Sequence, residues 1–518
     1  MRDLWLRDER KLRALATGLF VYALALRLYF GAHIDLMPEE TYYWNYSRHL
    51  DFGYLDHPPM VAWLIRGGTA LFGATEFGVR IAAVCCGAIT ALFTYRLTKN
   101  LFGPAAAALA LALLQVMPFY FLSGMLMTPD TPLTAAWAAS LYFLERALIG
   151  GSARAWWWAG LCLGLGMLSK YTIGLLGLAV LIFMIVDRRS RHWLGRPQPY
   201  AAAVLAFAIF SPVIVWNAEH HWISFLFQTT RRIAGAPRFS LHKLIGASML
   251  LLTPTGFFAA VYGLARPAAE IEEQKANTRA GTRLLRMATL VPLAVFAFFS
   301  LRREVKLDWT GAPWIAALPL IAVEIIHAGR TTAAGARAWI RASCGPSIVA
   351  MALLYPLGLY HLAAGIPGVG YSRQTELLPV GWRRLGYSVG RLSEDYRRRY
   401  GVAPLVVGMD RYVIASELAF YAPNRVDALA NTSSAHLFGG SGLMYELWVP
   451  AKRQRGRTLL LVSFNAQSLD AKSVRAAVRE LGPIERLPLR RGNTPIRDAY
   501  YRFASGYRGP APSRAPRP

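Results

Sequence analysis

Two carboxylates, Glu39 and Glu40, run straight into Thr41-Tyr42-Tyr43-Trp44, and a third, Asp56, precedes His57-Pro58-Pro59. A placed carboxylate can take the proton from a hydroxyl that must become a nucleophile. On a helix Glu39 and Tyr43 share a face, as do Glu40, Tyr43 and Trp44. Aromatic residues of this kind settle at the headgroup level of a membrane, where such a helix would hold its acids at the water–lipid boundary. The same hexapeptide would also serve as an interfacial anchor whose acids are merely solvated. Asp56 reads as the N-cap of the apolar stretch 60–72, with the prolines in its first turn, and a rigidly held acid there could also face a cleft.

Cations stand in other segments. Arg302, Arg303 and Lys306 form one group, and His220 and His221 with Arg231 and Arg232 form a second. Lys170 lies near the end of an apolar run, where an unpaired charge is costly. These groups could neutralise a developing anion, and a divalent metal between Asp56 and His220 could do the same. The structural alternatives are arginines that snorkel to headgroups and a histidine that only packs.

The elements that must position these residues are membrane helices. The chain has 518 residues, a mean hydropathy of +0.30, 54% hydrophobic residues and 17% charged ones, well below the roughly 25% charge of soluble domains. Its apolar residues gather in blocks close to the ~20 needed to cross a bilayer as a helix. Spans are expected at 12–32, 77–97, 104–122, 131–149, 155–169, 171–186, 199–217, 243–264, 285–300, 311–327 and 346–366. The split within 155–186 rests on Gly164, Gly166 and Ser169-Lys170. The stretch 12–30 ends in no small-residue cleavage site and reads as the first span.

Lys and Arg fall in alternate loops, which places the N-terminus in the cytoplasm and the loop 33–76 and the C-terminal region outside. This is the arrangement of a multi-pass protein of a bacterial inner membrane. The net charge of +27 is then largely turned toward anionic lipid, and without a zinc knuckle or helix-turn-helix signature no nucleic acid partner is expected. The four cysteines, Cys85, Cys86, Cys162 and Cys344, suit apolar packing better than disulfides or a metal.

After residue 366 the composition changes. Helical patterns at 381–400, 414–421 and 471–481 alternate with apolar strands at 404–408, 458–463 and 499–503, the pattern of a small α/β domain. The expected organisation is a membrane domain over 1–366, an extracytoplasmic α/β domain over 367–505, and a disordered Pro/Arg/Gly-rich tail over 506–518. The charge runs 396–399 and 452–457 read as solvated or membrane-facing surface.

Together these residues carry a resemblance. The run Asp35-Leu-Met-Pro-Glu39-Glu40-Thr-Tyr-Tyr-Trp44, then Gly53-Tyr-Leu-Asp56-His-Pro-Pro59, Thr128-Pro-Asp130-Thr-Pro-Leu133 and Leu168-Ser-Lys170-Tyr-Thr172, is similar to the bacterial branch of the protein O-mannosyltransferase superfamily. That branch includes the lipid A aminoarabinose transferases. Trp216-Asn217 with His220 and Trp222, Lys306-Leu-Asp308-Trp309, Asp410-Arg-Tyr412 and Ser416–Pro423 extend the likeness over nearly the whole chain.

The resemblance implies a polytopic α-helical membrane protein of the GT-C fold, here with about eleven transmembrane helices and a C-terminal extracytoplasmic α/β domain. It implies transfer of a sugar from a polyprenyl-phosphate donor to lipid A, an envelope glycan or a protein at the periplasmic face, with inversion. Matched to its pattern, Glu39, Glu40 and Asp56 are the catalytic candidates. Tyr42, Tyr43, His57, Lys170, Arg302, Arg303 and Lys306 would contact substrates. Glu39 stands where the family usually has Asp, and the extra methylene shifts the carboxylate by about a bond length, a displacement that matters to a base. Asp35 is a nearby substitute. A lipid or sugar transporter would also be polytopic with intramembrane charge, and a membrane scaffold carrying a binding domain is a third class; the motifs, however, cluster in outer loops rather than at midplane.

Overall fold

The computed structural model describes residues 6, 8–231, 237–265, 276–304, 306–330, 335–371 and 375–510. They form two compact units. The first comprises the described residues within 1–31, 57–64 and 80–357; the second comprises those within 32–56, 65–79 and 358–518. A single cut at 366, as the composition suggested, therefore misses that most of the loop 33–76 folds with the C-terminal region.

The first unit is helical. Six helices of the chain are long and apolar enough to cross a membrane among the described residues: Glu9–His33, Glu76–Phe102, Pro197–Glu219, Leu241–Ala265, Ala276–Ser300 and Ala336–Ala363. A bent pair, Asp308–Ala316 with Leu318–Ala328 at 61°, adds a seventh if taken as one span. The other expected spans fall on shorter helices or on Asp130–Leu148. Their breaks have local causes. Pro118 starts a new helix after Val116 and divides the expected span 104–122, and Thr253, at φ 66° just before Pro254, kinks Leu241–Ala265. The run 155–186 breaks at 168–170, where Lys170 adopts an extended conformation.

Without water between them, membrane helices associate through close packing of small residues. Ala155–Met167 lies against Asp130–Leu148 and Pro197–Glu219. A methyl at Gly160 would come within 2.5 Å of the Ala202 carbonyl oxygen, and one at Gly164 within 3.1 Å of Ala206 Cα. The two small-residue pairs, each four apart, set that contact. Large apolar side chains such as Val204, Phe207, Val349 and Leu353 remain exposed on the outside, as lipid-facing positions require.

The second unit is an α/β fold on one six-stranded sheet: β1 (Leu405–Gly408), β2 (Thr432–Ser434), β3 (Leu459–Ser463), β4 (Glu480–Leu481), β5 (Glu485–Arg491) and β6 (Thr494–Ser505). The order is β2-β1-β3-β6-β4, with β5 also paired to β6. The first three strands run parallel and the rest antiparallel. β1 and β3 are fully buried, which explains their uninterrupted apolar runs.

Three expectations change here. The helix expected over 471–481 stops at Ala477, because Arg479 and Gly482 donate to Ser505 and Phe503 and draw the chain into an edge pairing. β5 escapes the sequence pattern because it holds Pro488 and pairs on one side only, which is where a strand tolerates proline. The expected disorder over 506–518 does not include Tyr507, which is buried and donates to the Leu437 carbonyl; residues 511–518 lie outside the described set.

The first-loop helix Pro38–Arg48 packs on the helix Val413–Tyr421 of the same unit. Trp44 meets the Phe420 ring edge-on, centroids 5.0 Å apart, and the Leu36 N–H donates to the Tyr421 hydroxyl at 2.7 Å. Arg383 pairs with both Asp35 and Glu76.

Candidate active site

Pro38 occupies the first turn of the helix Pro38–Arg48, where a missing N–H leaves nothing unpaired. Glu40 Oε2 accepts the backbone N–H of Met37 at 3.0 Å, and the side chain is fully buried. Of the two adjacent acids, Glu40 thus fixes the start of the helix, while Glu39 is half-buried on the neighbouring face.

That face builds around Asp56. Tyr42 and Tyr46, four residues apart, both donate their hydroxyls to Asp56 Oδ1, Tyr42 at 3.3 Å. The Tyr42 oxygen in turn accepts the Met444 N–H at 3.3 Å. Tyr46 stacks on Tyr54 with centroids 3.9 Å apart, Tyr42 lies 4.6 Å from Tyr412, and Trp448 meets Tyr46 edge-on and stacks on His49. Asp56 is therefore not the cap of the following helix, which begins four residues later at Met60; it is the buried acceptor of an aromatic cluster.

Burial pushes the Asp56 carboxyl above the ordinary range, against the Tyr46 and Tyr42 hydrogen bonds and the Arg411 guanidinium, which favour its ionised form. The Tyr42, Tyr43 and Tyr46 phenols are driven well above theirs, first by burial and then by the Asp56 charge. They remain neutral donors. Glu39 acts electrostatically on both Tyr43 and Tyr412, as Asp56 does, so the two acids face a common aromatic set. Arg411 and Tyr412 follow the carboxyl end of β1, at the point where the β2-β1-β3 order sends successive connections to opposite sides. Open α/β sheets bind ligands at such switch points.

In the first unit, Lys170 donates to both oxygens of Asp130 at 2.8 and 2.9 Å and to Asp308 at 3.2 Å. Its three N–H groups are thereby used, in keeping with the cost of leaving a charge unpaired at that place. Two acids around one lysine leave one net negative charge. The Met60 N–H donates to the Leu168 carbonyl at 2.9 Å, which ties the segment 57–64 to the same helix break. His57, at the head of that segment, is half-buried.

Arg302 and Lys306 are exposed and Arg303 is half-buried. The Arg302 carbonyl accepts the Arg238 N–H at 2.9 Å, and the Arg303 carbonyl accepts the Ser240 hydroxyl at 2.5 Å. Glu304 pairs with Arg238 and Lys243. The result is a pinned turn whose exposed side is mainly cationic.

His220 caps the helix Pro197–Glu219. Its Nδ1 lies 2.8 Å from the Trp216 carbonyl oxygen and its ring stacks on Trp216 at 4.2 Å. The Asn217 carbonyl accepts the Trp222 N–H, so the Trp216-Asn217, His220 and Trp222 motif builds a turn. Among the described residues no three His, Cys, Asp or Glu side chains form a group able to hold a metal ion. Within the second unit Asp56 already accepts two phenol hydroxyls.

The site residues that sequence reasoning missed are Tyr46, Arg411, Tyr412 and Trp448, with Asp130 and Asp308 as partners of Lys170. Tyr46 carried a local signal, its spacing of four from Tyr42, and Arg411, Tyr412, Asp130 and Asp308 lie within the motifs that carry the resemblance.

Residues 56–216 match the dolichyl-phosphate-mannose-protein mannosyltransferase family. This stretch includes Asp56, Asp130 and Lys170 and leaves out Glu39 and Glu40. An undecaprenyl phosphate-alpha-4-amino-4-deoxy-L-arabinose arabinosyl transferase of Pseudomonas aeruginosa is 32% identical over 251 residues, 44% of this chain and 45% of that protein. The lipid A galacturonosyltransferase RgtD of Rhizobium johnstonii is 28% identical over 193 residues, 36% of this chain and 39% of that one. The matched stretch thus spans less than half of either relative. Among solved structures, ArnT from Cupriavidus metallidurans in the apo state superposes with a TM-score of 0.61 at 16% identity, covering 94% of this chain and 97% of ArnT. Its form bound to undecaprenyl phosphate gives 0.59. By sequence the chain resembles sugar transferases over residues 56–216, and over 94% of its length it shares the fold of ArnT.

Proposed function

We propose that this chain is an integral membrane glycosyltransferase that moves a sugar from a polyprenyl-phosphate carrier to lipid A or another envelope acceptor on the periplasmic side of the inner membrane. The observation that carries the reading is Asp56, a buried carboxylate fixed by two phenols beside Arg411; the likeness of residues 56–216 to a mannosyltransferase family and of the fold to ArnT supports it.

In the proposed reaction Asp56 takes the proton of the acceptor hydroxyl, and the resulting oxygen attacks the anomeric carbon. The bond from that carbon to the phosphate oxygen breaks on the opposite face, and its electron pair leaves with the carrier phosphate. The new glycosidic bond has inverted configuration. Tyr42 and Tyr46 hold the carboxylate in place, since a base works only at hydrogen-bond reach of its proton. Glu39, half-exposed on the same aromatic face, orients the acceptor. Arg302, Arg303 and Lys306, in the first unit, are the cations proposed to contact the donor phosphate.

The test is turnover of radiolabelled polyprenyl-phosphate sugar by the purified protein with and without lipid A. Transfer of label to lipid A by the wild type, lost in Asp56→Asn, supports the reading. A carrier that crosses the membrane with its glycosyl–phosphate bond intact would instead identify a transporter.

A further inference from the structure

The second unit contains a cavity that plays no part in the site around Asp56. It measures about 690 Å³ and lies between the helix Trp382–Tyr400 and the segment 421–432. The helix can lie directly on that segment because Gly386 and Gly390 carry no side chain: a methyl at either would sit 2.4 Å from Tyr421 Cβ or 2.3 Å from Pro423 Cδ. Buried Val389, Val406 and Leu418 make the floor apolar. Arg391, Arg397 and Arg398 stand on one wall, and Asn424 and Asn431 belong to the other. Glu394 pairs with Arg397 at 2.9 Å and with Arg398 at 3.5 Å. Three arginines against one glutamate leave the described lining with a surplus of two positive charges.

A floor of C–H groups, amides on one side and guanidinium groups on the other present three kinds of contact at once. A sugar ring offers an apolar face and hydroxyls; a phosphate offers the planar two-oxygen edge that arginine binds in a bidentate way. The volume falls within the range of small-molecule sites, about 300–1,000 Å³, which suits one or two sugar rings.

We infer that this groove binds a phosphorylated saccharide and, resting on the function proposed above, that it holds the phosphorylated sugar headgroup of the acceptor while another hydroxyl of that acceptor is glycosylated. The shared chemistry could come from a glycolipid headgroup, a free sugar phosphate or inorganic phosphate alone, and these are separated by the choice of probe.

The experiment uses the full chain in detergent and measures binding of three probes by calorimetry: the deacylated, bisphosphorylated glucosamine disaccharide, the same disaccharide without phosphates, and inorganic phosphate. The expected result is that the bisphosphorylated disaccharide binds at least about tenfold more tightly than either of the others, and that Arg391→Glu with Arg398→Glu removes this advantage. Arg391→Lys should retain part of it. In the same preparations, hydrolytic release of sugar from the polyprenyl-phosphate donor should be unchanged by the double variant, which also shows that it has folded. Equal binding of the phosphorylated and bare disaccharides, or binding unaffected by the double variant, overturns the inference. Inorganic phosphate binding as tightly as the disaccharide overturns its saccharide part. Failure of the wild type to consume the donor would overturn the transferase reading instead, and leaves the binding comparison standing on its own.

Discussion

The hydroxyl of Tyr46 donates to Oδ1 of Asp56, ten residues further along the chain, while its ring stacks on Tyr54. The carboxylate is thus tied both to the first-loop helix and to the turn that precedes the paired prolines. Asp56→Asn keeps the shape of the side chain and removes the base, so transfer should fall by about 10²–10⁴-fold with membrane insertion unchanged. Glu39→Gln should raise KM for the acceptor more than it lowers kcat. A near-normal rate in Asp56→Asn would leave Asp56 only a structural acceptor.

The acid limb of the pH profile should carry the signature of this pocket. Asp56 acts ionised, and burial raises its pKa, so kcat/KM should begin to fall at a pH above the ordinary aspartate value of about 3.9. The Tyr46 hydrogen bond and Arg411 both favour the ionised form. Removing either, by Tyr46→Phe or Arg411→Ala, should move the acid limb to still higher pH. An unmoved limb in both variants would mean that another group titrates.

Lys170 should behave as a stability residue. Removing the lysine leaves Asp130 and Asp308 facing each other, and breaking a buried ion pair costs about 3–5 kcal/mol. Lys170→Met should therefore lower Tm in detergent markedly, and adding Asp130→Asn should restore part of the loss. If instead Lys170→Met raises KM for the donor at unchanged Tm, the ammonium contacts substrate.

Lys306, exposed on the pinned turn, is the cation best placed among 302–306 to meet a phosphate as a compact charge. Lys306→Ala should lower kcat/KM for the donor by roughly 10²-fold, and Lys306→Arg should recover part of it. Unchanged donor kinetics would make the residue a headgroup anchor.

Sidedness can be read from exposed positions. In a variant lacking Cys85, Cys86, Cys162 and Cys344, a cysteine at Thr229 or Ser473 should react with an impermeant thiol reagent added to spheroplasts. One at Arg189 should react only after lysis. The opposite pattern would reverse the proposed orientation.

Much of the helical unit was legible because apolar blocks must form helices in a bilayer, and the break at 168–170 was marked by Gly164, Gly166 and the Ser169-Lys170 pair. β1 and β3 were visible as short apolar runs, whereas β5, interrupted by Pro488, was not. Within the site, the four-residue spacing of Tyr42 and Tyr46 was visible in principle. Their convergence on Asp56 was not, because it depends on how the loop returns. Met444 lies 402 residues from Tyr42, and Asp308 lies 138 from Lys170. No local periodicity records which distant ends meet. Nor does the sequence show that Glu40 accepts the Met37 N–H and so holds the start of its helix.

The bond from the Leu36 N–H to the Tyr421 hydroxyl spans 385 residues, which has a consequence for synthesis. At a ribosomal rate of about 5–20 residues per second, roughly 20–80 s pass between the two ends of that bond. During this interval the first loop has neither Phe420 to cover Trp44 nor Met444 to engage Tyr42. A nascent chain therefore carries an aromatic segment with no folded partner until nearly all of it has been made, and a chain that terminates before residue 420 keeps that segment open to chaperones and proteases for as long as it exists.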